Sequence, residues 1–305
     1  MEANLKSWHW TGTGYKSCKS VPLTDRGFRY GMSVFESLRV NAGGPEFFDK
    51  HLARLIQACA EREIPVDESA LAAAEAVLAK AWRMMEGKRK GEGGKGGIGD
   101  SPARQFPRSS IHSAAPTAGF ARIYVTAGDG GPAVPAEHPR IYVFVESRMP
   151  PGPDDAWEVG LCDESYQPLF GGLKTANYWF NCEALAQVRR RKFDETILFN
   201  DRAEVVSACC ANVFVVRDDR LCTPPRSSGC RAGVIREWVI ARRKVEERRL
   251  RREDIVNADE IFLTNSWLGI MPVATVEGRP LGHRMVGPRL SAELERRRSE
   301  SEEGL

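Results

Sequence analysis

Residues 170–181 read FGGLKTANYWFN, and this stretch differs in character from the basic segments elsewhere in the chain. Lys174 follows two glycines and precedes a run that includes Asn177 and Tyr178, whereas other basic residues stand in arginine-rich, surface-like runs. Lys174 is therefore a candidate buried amine, although a lysine taken alone is far more often a solvated surface charge. A lysine that forms a Schiff base must lose its proton, which desolvation and nearby positive charge promote by lowering its pKa.

The sequence around this stretch predicts an α+β fold. Helical patterns cover residues 181–192 and 233–249, and they are interspersed with short apolar strands, TILF (196–199), NVFVV (212–216) and EIFLT (260–264). Because strands and helices do not alternate strictly, an α+β arrangement is favoured over a doubly wound parallel sheet.

The N-terminal half carries its own signals. Asp67 begins a helix whose apolar positions recur near a 3.6-residue period, at Leu71, Ala74, Leu78, Ala81, Trp82 and Met85. Residues 121–128 and 140–147 are predicted to be paired strands. The proline-rich segment 149–155 predicts a stiff connector, so we expect an N-terminal domain over 1–148, a linker over 149–155 and a C-terminal domain over 156–291.

Two segments fall outside these patterns. Residues 86–119 are rich in glycine and proline and nearly lack large apolar side chains, so they cannot bury enough surface to offset the entropy of ordering. We expect a disordered insertion there. The tail over residues 292–305 is densely charged and is expected to form a frayed helix at most.

The composition excludes several classes of protein. The 305 residues, 42% hydrophobic and 28% charged, are ordinary for a soluble globular protein, and no window approaches the roughly 18 apolar residues of a membrane span. The N-terminus lacks the apolar core of a secretory signal, so we expect a cytoplasmic protein. A net charge of +3 gives no reason to expect nucleic acid or a membrane as partner. Eight cysteines without a CxxC pair indicate reduced thiols and no metal site.

Two further segments could bind an anion. Arg54 lies in HLARL (51–55), where a helix would place it on one face with His51, and a guanidinium so placed could grip a phosphate. The loop SSGCRAG (227–233) leads into a helix starting near Val234, whose free N–H groups and dipole would favour an anion. Each signal is weak alone, because exposed helix arginines and glycines before helices are common.

Taken in order, six blocks resemble those of the class IV, fold type IV pyridoxal-phosphate enzymes. The blocks are DRGFRYGMSVFESLRV (25–40), HLARL (51–55), LKTANYW (173–179), ANVFVV with LCTPP (211–225), SSGCRAGVIR (227–236) and DEIFLTNSWLGIMPV (259–273). That group contains branched-chain aminotransferases, D-amino-acid aminotransferases and aminodeoxychorismate lyases. The resemblance implies a small N-terminal α/β domain, a larger barrel-like C-terminal α+β domain, pyridoxal 5′-phosphate as cofactor and a homodimer.

The resemblance also implies roles for individual residues. Lys174 matches the lysine that holds the cofactor as an internal aldimine and later moves a proton, and Arg54 matches the arginine that binds the cofactor phosphate. The N–H groups of Val234 and Ile235 match the phosphate cup, and Ser266 matches a hydroxyl near it. Tyr178 matches a residue within reach of the phenolate oxygen of the cofactor ring.

Departures from the family pattern concern the chemistry. Ser207 stands five residues before Asn212, where the family has a glutamate that faces the pyridine nitrogen. A hydroxyl there implies a weaker electron sink and a slower or altered reaction. Arg231 stands where an aliphatic residue is usual, and Ile235 stands where many transaminases have a threonine. Ala127 stands where D-amino-acid aminotransferases have an arginine, which counts against D-amino acids.

We therefore expect an aminotransferase that moves an amino group between an amino acid and an α-keto acid. The alternatives are an aminodeoxychorismate lyase that releases pyruvate and a non-catalytic protein that keeps the fold. The sequence does not separate the first two, because both reactions begin with proton loss from Cα.

Overall fold

The computed structural model describes residues 5–91, 118–152, 154–282 and 285–303. The strands of the first sheet are β1 Leu5–Trp10, β2 Tyr15–Ser17, β3 Ser33–Asn41, β4 Gly44–Pro45, β5 Ala118–Thr126 and β6 Arg140–Arg148. Those of the second are β7 Trp157–Ser165, β8 Glu195–Phe199, β9 Val205–Ala208, β10 Asn212–Arg217, β11 Arg220–Thr223, β12 Glu246–Glu247, β13 Glu260–Asn265, β14 Gly269–Val276 and β15 Arg279–Pro280. The helices are α1 Arg26–Tyr30, α2 Phe48–Glu61, α3 Glu68–Gly91, α4 Trp179–Arg190, α5 Val234–Ile240, α6 Arg252–Val256 and α7 Val286–Glu303.

The topology confirms an α+β fold with two curled sheets. The first sheet, expected within an α/β domain, has the order β2-β1-β6-β5-β3-β4, and its strand pairs are antiparallel. The second has the order β12-β11-β10-β13-β14-β7-β8-β9 and is mixed, because β7 runs parallel to both β8 and β14. It curls far enough that the N–H of Ala208 in β9 donates to the carbonyl of Ala211, next to β10, at 2.8 Å.

The core of the first half forms because α2 and α3 cover one face of the first sheet. Every apolar position predicted for α3 is buried: Leu71, Ala74, Leu78, Ala81, Trp82 and Met85. Alternation along β5 sends Ile123 toward these helices and Arg122 to the opposite face. The two faces of this sheet therefore differ in chemistry, and the polar one is available to line a site.

Two predicted boundaries are wrong. The helix expected over residues 233–249 ends at Ile240, and Glu246–Glu247 then forms a strand beside β11, because the chain beyond Ile240 lacks an apolar stripe to continue the helix. The insertion expected over residues 86–119 is too long: residues 86–91 continue α3, and Ala118 is a fully buried residue of β5. The rest of that prediction falls on residues 92–117, outside the described residues.

The C-terminal tail is more ordered than expected. Residues 292–303 belong to α7, which packs on β14 through the buried Leu290 and Leu294. The carboxylate of Glu260 accepts the N–H groups of Met285 and Val286, and so satisfies donors at the start of this helix.

The predicted linker 149–155 lies between the last strand of the first sheet and the first strand of the second. The division into two domains stays a prediction. In the described residues, no helix combines the length and apolar character required to cross a bilayer.

Candidate active site

The main chain at Lys174 is bonded to the first sheet. The N–H of Phe35 in β3 donates to the carbonyl of Lys174 at 2.8 Å, and the N–H of Ala176 donates to the carbonyl of Ser33 at 3.1 Å. The short β4 pairs with the far end of β3 only, so this end is open to the segment. Lys174 thus lies beside a strand that points Phe35 to one face of the sheet and Glu36 to the other.

Close packing of two loops fixes the position of the segment that carries Lys174. Gly172 has φ +87°, a left-handed conformation that favours glycine, and a Cβ there would meet the carbonyl oxygen of Gly229 at 2.7 Å. Only a residue without a side chain allows this approach. The loop before Lys174 is therefore packed against the loop that carries Arg231.

The Lys174 amine lies between aromatic rings and close to a positively charged side chain. Its Nζ donates to the Tyr178 hydroxyl at 2.9 Å and lies 4.4 Å from the centroid of the Phe35 ring. Burial, and then the positive charge of Arg231, lowers the pKa of Lys174 to about 7. A lysine that forms a Schiff base requires such an environment, because burial and a neighbouring positive charge favour the neutral amine.

A buried carboxylate, Glu36, organises the basic residues next to Lys174. Its oxygens accept from Arg54 Nε at 3.0 Å, from Arg54 Nη2 at 2.5 Å and from Arg231 Nη2, and they lie 2.8 Å from His51 Nδ1. Although burial alone would raise the pKa of Glu36, the charges of Arg231 and Arg54 and the bond from His51 hold it well below its usual range. The carboxylate is ionised and acts only as an acceptor.

The bonds of His51 fix its tautomer. Burial lowers the pKa of His51, so the ring is neutral, and its proton lies on Nδ1 because the ionised Glu36 can only accept. Nε2 is then an acceptor, and the Ser266 hydroxyl donates a hydrogen bond to it at 3.1 Å. Ser266 can donate to another ligand only if its hydroxyl rotates away from His51.

Arg54 is joined to the loop before α5. Its Nη1 donates to the carbonyl of Ala232 at 2.5 Å, two residues before the helix begins at Val234. A Cβ on Gly233 would meet Asn212 Oδ1 at 2.1 Å and would displace the Asn212 side chain, which donates to the Arg231 carbonyl. The structure thus brings Arg54 and the first-turn N–H groups of Val234 and Ile235 to one place.

Two arginines close to Lys174 have incomplete hydrogen bonding. In the described residues, Arg231 Nη1 and Arg122 Nε are buried and have no hydrogen-bond partner. The Arg122 guanidinium lies 5.6 Å from the centroid of the Phe35 ring, the same ring that Lys174 Nζ contacts, and its Nη1 donates to the Tyr124 hydroxyl at 3.2 Å. Unsatisfied guanidinium nitrogens next to an amine indicate a site for an anionic ligand.

Ser207 lies half-buried on β9, opposite Leu198 of β8. Two buried carboxylates near Ser207 in the chain, Glu204 and Glu195, accept hydrogen bonds from other groups of the protein. Glu204 accepts from Asn200 at 3.0 Å, as well as from Ser228 and Arg202, and Glu195 accepts the N–H groups of Cys209 and Cys210. Neither carboxylate is therefore free to replace the missing glutamate.

A cavity of about 300 Å³ opens beside Tyr178, and Thr175, Asn177, Tyr166, Leu169 and Phe180 are among the residues that line it. This volume is within the range of small-molecule sites.

Glu36 and Arg122 were not predicted as site residues from the sequence. Glu36 could have been found from the sequence, because alternation along β3 places it on the same inward face as Val34, Leu38 and Val40. A carboxylate among buried apolar side chains needs a partner. Arg122 lies among apolar residues in ARIYVTAG (121–128), where a charged side chain likewise needs a partner. The partners themselves are far away in sequence and could not be assigned.

The residues present fit pyridoxal phosphate, which the resemblance implies. The cofactor has an aldehyde, which needs a neutral amine, and a phosphate dianion, which needs positive charge and N–H donors. Lys174 supplies the amine, and Arg231 with the first turn of α5 supplies unsatisfied donors.

Comparison with known proteins places the chain among relatives of two activities. A family model described as "Amino-transferase class IV" matches residues 95–276. Aminodeoxychorismate lyase of Vibrio harveyi is 26% identical over 271 residues, covering 84% of this chain and 87% of that protein. D-alanine aminotransferase of Bacillus licheniformis is 24% identical, covering 88% of this chain and 87% of its own length. The solved structure of 4-amino-4-deoxychorismate lyase from Pseudomonas aeruginosa is 26% identical with a TM-score of 0.71, covering 96% of this chain and 98% of that one.

Proposed function

This chain belongs to the class IV aminotransferase family, and on that premise we propose that it transfers an amino group between an amino acid and an α-keto acid. Enzymes of this family use pyridoxal phosphate. The observation that carries the proposal is the Lys174 amine, with a pKa of about 7, held between Tyr178 and the Phe35 ring and close to unsatisfied guanidinium groups. Such an amine favours an enzyme over the non-catalytic alternative.

When bound, the cofactor supplies an electron sink that stabilises negative charge at Cα of an amino acid. In our proposal Lys174 Nζ would hold the cofactor through its aldehyde, with loss of water, until the amino group of the substrate displaces it, and the freed amine would then take the proton from Cα. The Tyr178 hydroxyl, 2.9 Å from Nζ, orients the amine. Burial raises the pKa of this phenol, so it stays protonated and is able to donate to the cofactor ring.

The anionic groups are assigned to the donors on either side of Lys174. Arg54, Ser266 and the N–H groups of Val234 and Ile235 form the phosphate end. Arg122, on the polar face of the first sheet, is our candidate for a substrate carboxylate because its buried Nε faces no partner in the described ranges. The rings that surround its guanidinium keep water away and strengthen such a contact.

Ser207→Glu is expected to accelerate removal of the Cα proton by about tenfold. A carboxylate would hold the ring nitrogen protonated through a charge-assisted bond of about 1.5–3 kcal/mol, against about 0.5–1.5 kcal/mol for the serine hydroxyl. The measurement is the exchange of the substrate Cα proton for deuterium, followed by NMR. Ser207→Gln is the neutral control of matched size. Equal exchange rates in the Glu and Gln variants would contradict the assignment of Ser207 to the ring nitrogen.

Release of pyruvate from aminodeoxychorismate is the second candidate function, favoured by the similarity to the Vibrio harveyi lyase over most of both chains. The two reactions part after Cα proton loss: the lyase expels a substituent from the substrate, whereas the aminotransferase passes the amino group to a keto acid. Cofactor-loaded protein is incubated with a panel of amino acids and an α-keto acid, and separately with aminodeoxychorismate alone. New amino acid in the first arm supports our proposal, and pyruvate in the second supports the lyase.

A cytoplasmic homodimer completes the proposal. Two large apolar side chains, Trp179 at the start of α4 and Phe28 in α1, are 86% and 65% exposed. The two elements are neighbours, because Asn177 Nδ2 donates to the carbonyl of Gly31 at 3.2 Å. A second copy of the chain would cover this apolar surface.

A further inference from the structure

Arg54, the expected phosphate ligand, has most of its donors engaged within the protein. Nε and Nη2 bind the two oxygens of Glu36 at 3.0 and 2.5 Å, and Nη1 donates to the carbonyl of Ala232 at 2.5 Å. The planar fork of the guanidinium, which would grip a phosphate with two parallel bonds, is thus occupied by a carboxylate. Arg54 keeps only the second N–H of Nη1 and of Nη2 for a further anion in this arrangement.

Glu36, Arg54, His51 and Arg231 form one cluster, and its net charge depends on Arg231. Glu36 and Arg54 form a pair without net charge, and His51 is neutral because burial lowers its pKa. Arg231, which also binds Glu36, leaves the group of four residues with one net positive charge. Without Arg231, a phosphate dianion would meet a neutral cluster.

The bonds of Arg231 leave one nitrogen for a ligand. Nη2 donates to Glu36, whereas Nη1 is buried and has no hydrogen-bond partner in the part of the chain that the structure describes. A buried donor without an acceptor is unfavourable and rare in folded proteins, so the position of Nη1 fits an acceptor supplied from outside the chain.

The main chain holds Arg231 between the phosphate end and the amine. Its carbonyl accepts from Asn212 Nδ2 at 2.7 Å and from the N–H of Gly233 at 2.9 Å, directly before α5. At the other side, its charge is the largest electrostatic contribution that lowers the pKa of Lys174. Arg231 is therefore close to the start of α5 through its main chain and to Lys174 through its charge.

We infer that Arg231 binds the cofactor phosphate through Nη1 and supplies the net positive charge for it, while Glu36 and Arg54 hold the Arg231 side chain in place. This assignment rests on the proposed function, since it concerns the cofactor of the same site. Arg231 is then an additional phosphate ligand, at a position where the family pattern has an aliphatic residue, and the Glu36–Arg54 pair positions its side chain.

The test compares two cofactors that differ only in the phosphate. Pyridoxal phosphate and pyridoxal are titrated into the wild-type protein, Arg231→Leu, Arg231→Gln and the control Arg226→Leu, an exposed arginine of the same loop. Quenching of tryptophan fluorescence gives Kd without any assay of activity. Arg231→Leu and Arg231→Gln are expected to raise Kd for pyridoxal phosphate about 10–100-fold more than Kd for pyridoxal, because both ligands share any change in the Lys174 amine and only one carries a phosphate. Arg226→Leu is expected to leave both values unchanged.

Several outcomes would overturn the inference. Unchanged Kd for pyridoxal phosphate in both Arg231 variants would do so, as would equal weakening of both ligands. Normal cofactor binding with weakened amino-acid binding would assign Arg231 to the substrate carboxylate instead. If the wild-type protein binds neither cofactor, the proposed function itself fails. Glu36 keeps Arg54 and His51 as partners in these variants, and if Arg231→Leu does not fold, Arg231→Gln carries the test.

Discussion

Lys174→Ala is expected to abolish covalent retention of the cofactor and to lower turnover by at least about 10³-fold. The wild-type protein loaded with pyridoxal phosphate should be yellow, and borohydride should fix the cofactor irreversibly to Lys174. Mass spectrometry after reduction should show the added mass on the peptide that carries Lys174 and no added mass on the variant. The reason is that Lys174 both binds the cofactor aldehyde and moves the Cα proton.

The matched control is Lys50→Ala, which removes an exposed lysine of α2. It should retain the colour, the adduct and the activity. Retention of a reducible adduct by Lys174→Ala, or turnover within tenfold of wild type, would refute the assignment of the amine.

The pH dependence of adduct formation tests the same amine more finely. Only the neutral amine attacks an aldehyde, and burial with the charge of Arg231 lowers the pKa of Lys174 to about 7. Adduct formation should therefore rise with pH through a midpoint near 7 rather than near the usual lysine value of 10.5. Arg231→Leu should move this midpoint upward, because a neighbouring positive charge is lost.

Glu36→Gln is expected to lower the free energy of unfolding by about 3–5 kcal/mol at neutral pH. The substitution keeps the shape of the side chain but removes the carboxylate that Arg54, Arg231 and His51 share, and so leaves buried cations without a counter-charge. Urea unfolding of the cofactor-free protein measures the effect. Cofactor affinity should fall as well, because Arg231 loses the group that holds it in place.

Glu61→Gln, an exposed position on α2, is the control and should change stability by less than about 0.5 kcal/mol. The double variant Glu36→Gln with Arg231→Leu provides the sharper comparison. It should be less destabilised than the two single effects added together, since one of the unpaired cations is gone. Strict additivity would mean that Glu36 and Arg231 are not coupled.

The sequence predicted features that depend on near neighbours. The apolar repeat from Leu71 to Met85 is a local pattern, and it correctly indicates which face of α3 is buried. Lys174 lies in a glycine-bearing segment unlike the arginine-rich runs elsewhere, and this local difference indicated a buried amine. The order of the six blocks led to the right family, because it reflects the whole chain rather than one segment.

The features that the sequence did not reveal depend on contacts between distant segments. Arg231 and Glu36 are 195 residues apart, and nothing local to either shows that they bind each other. Arg54 was expected to face a phosphate, and only the structure reveals that a carboxylate already occupies its fork. The strand Glu246–Glu247 was missed for a similar reason, since its pairing with Cys222 and Thr223 of β11 is a tertiary contact.

The hydrogen bond from Phe35 to the Lys174 carbonyl joins the first sheet to the segment between β7 and α4 that carries the reactive residue. Fragments produced by cleavage within residues 149–155 would each keep a sheet, yet neither would hold a desolvated amine beside Glu36. Complementation by the two fragments is therefore required to restore the site, and the reactivity of Lys174 reports on their reassociation.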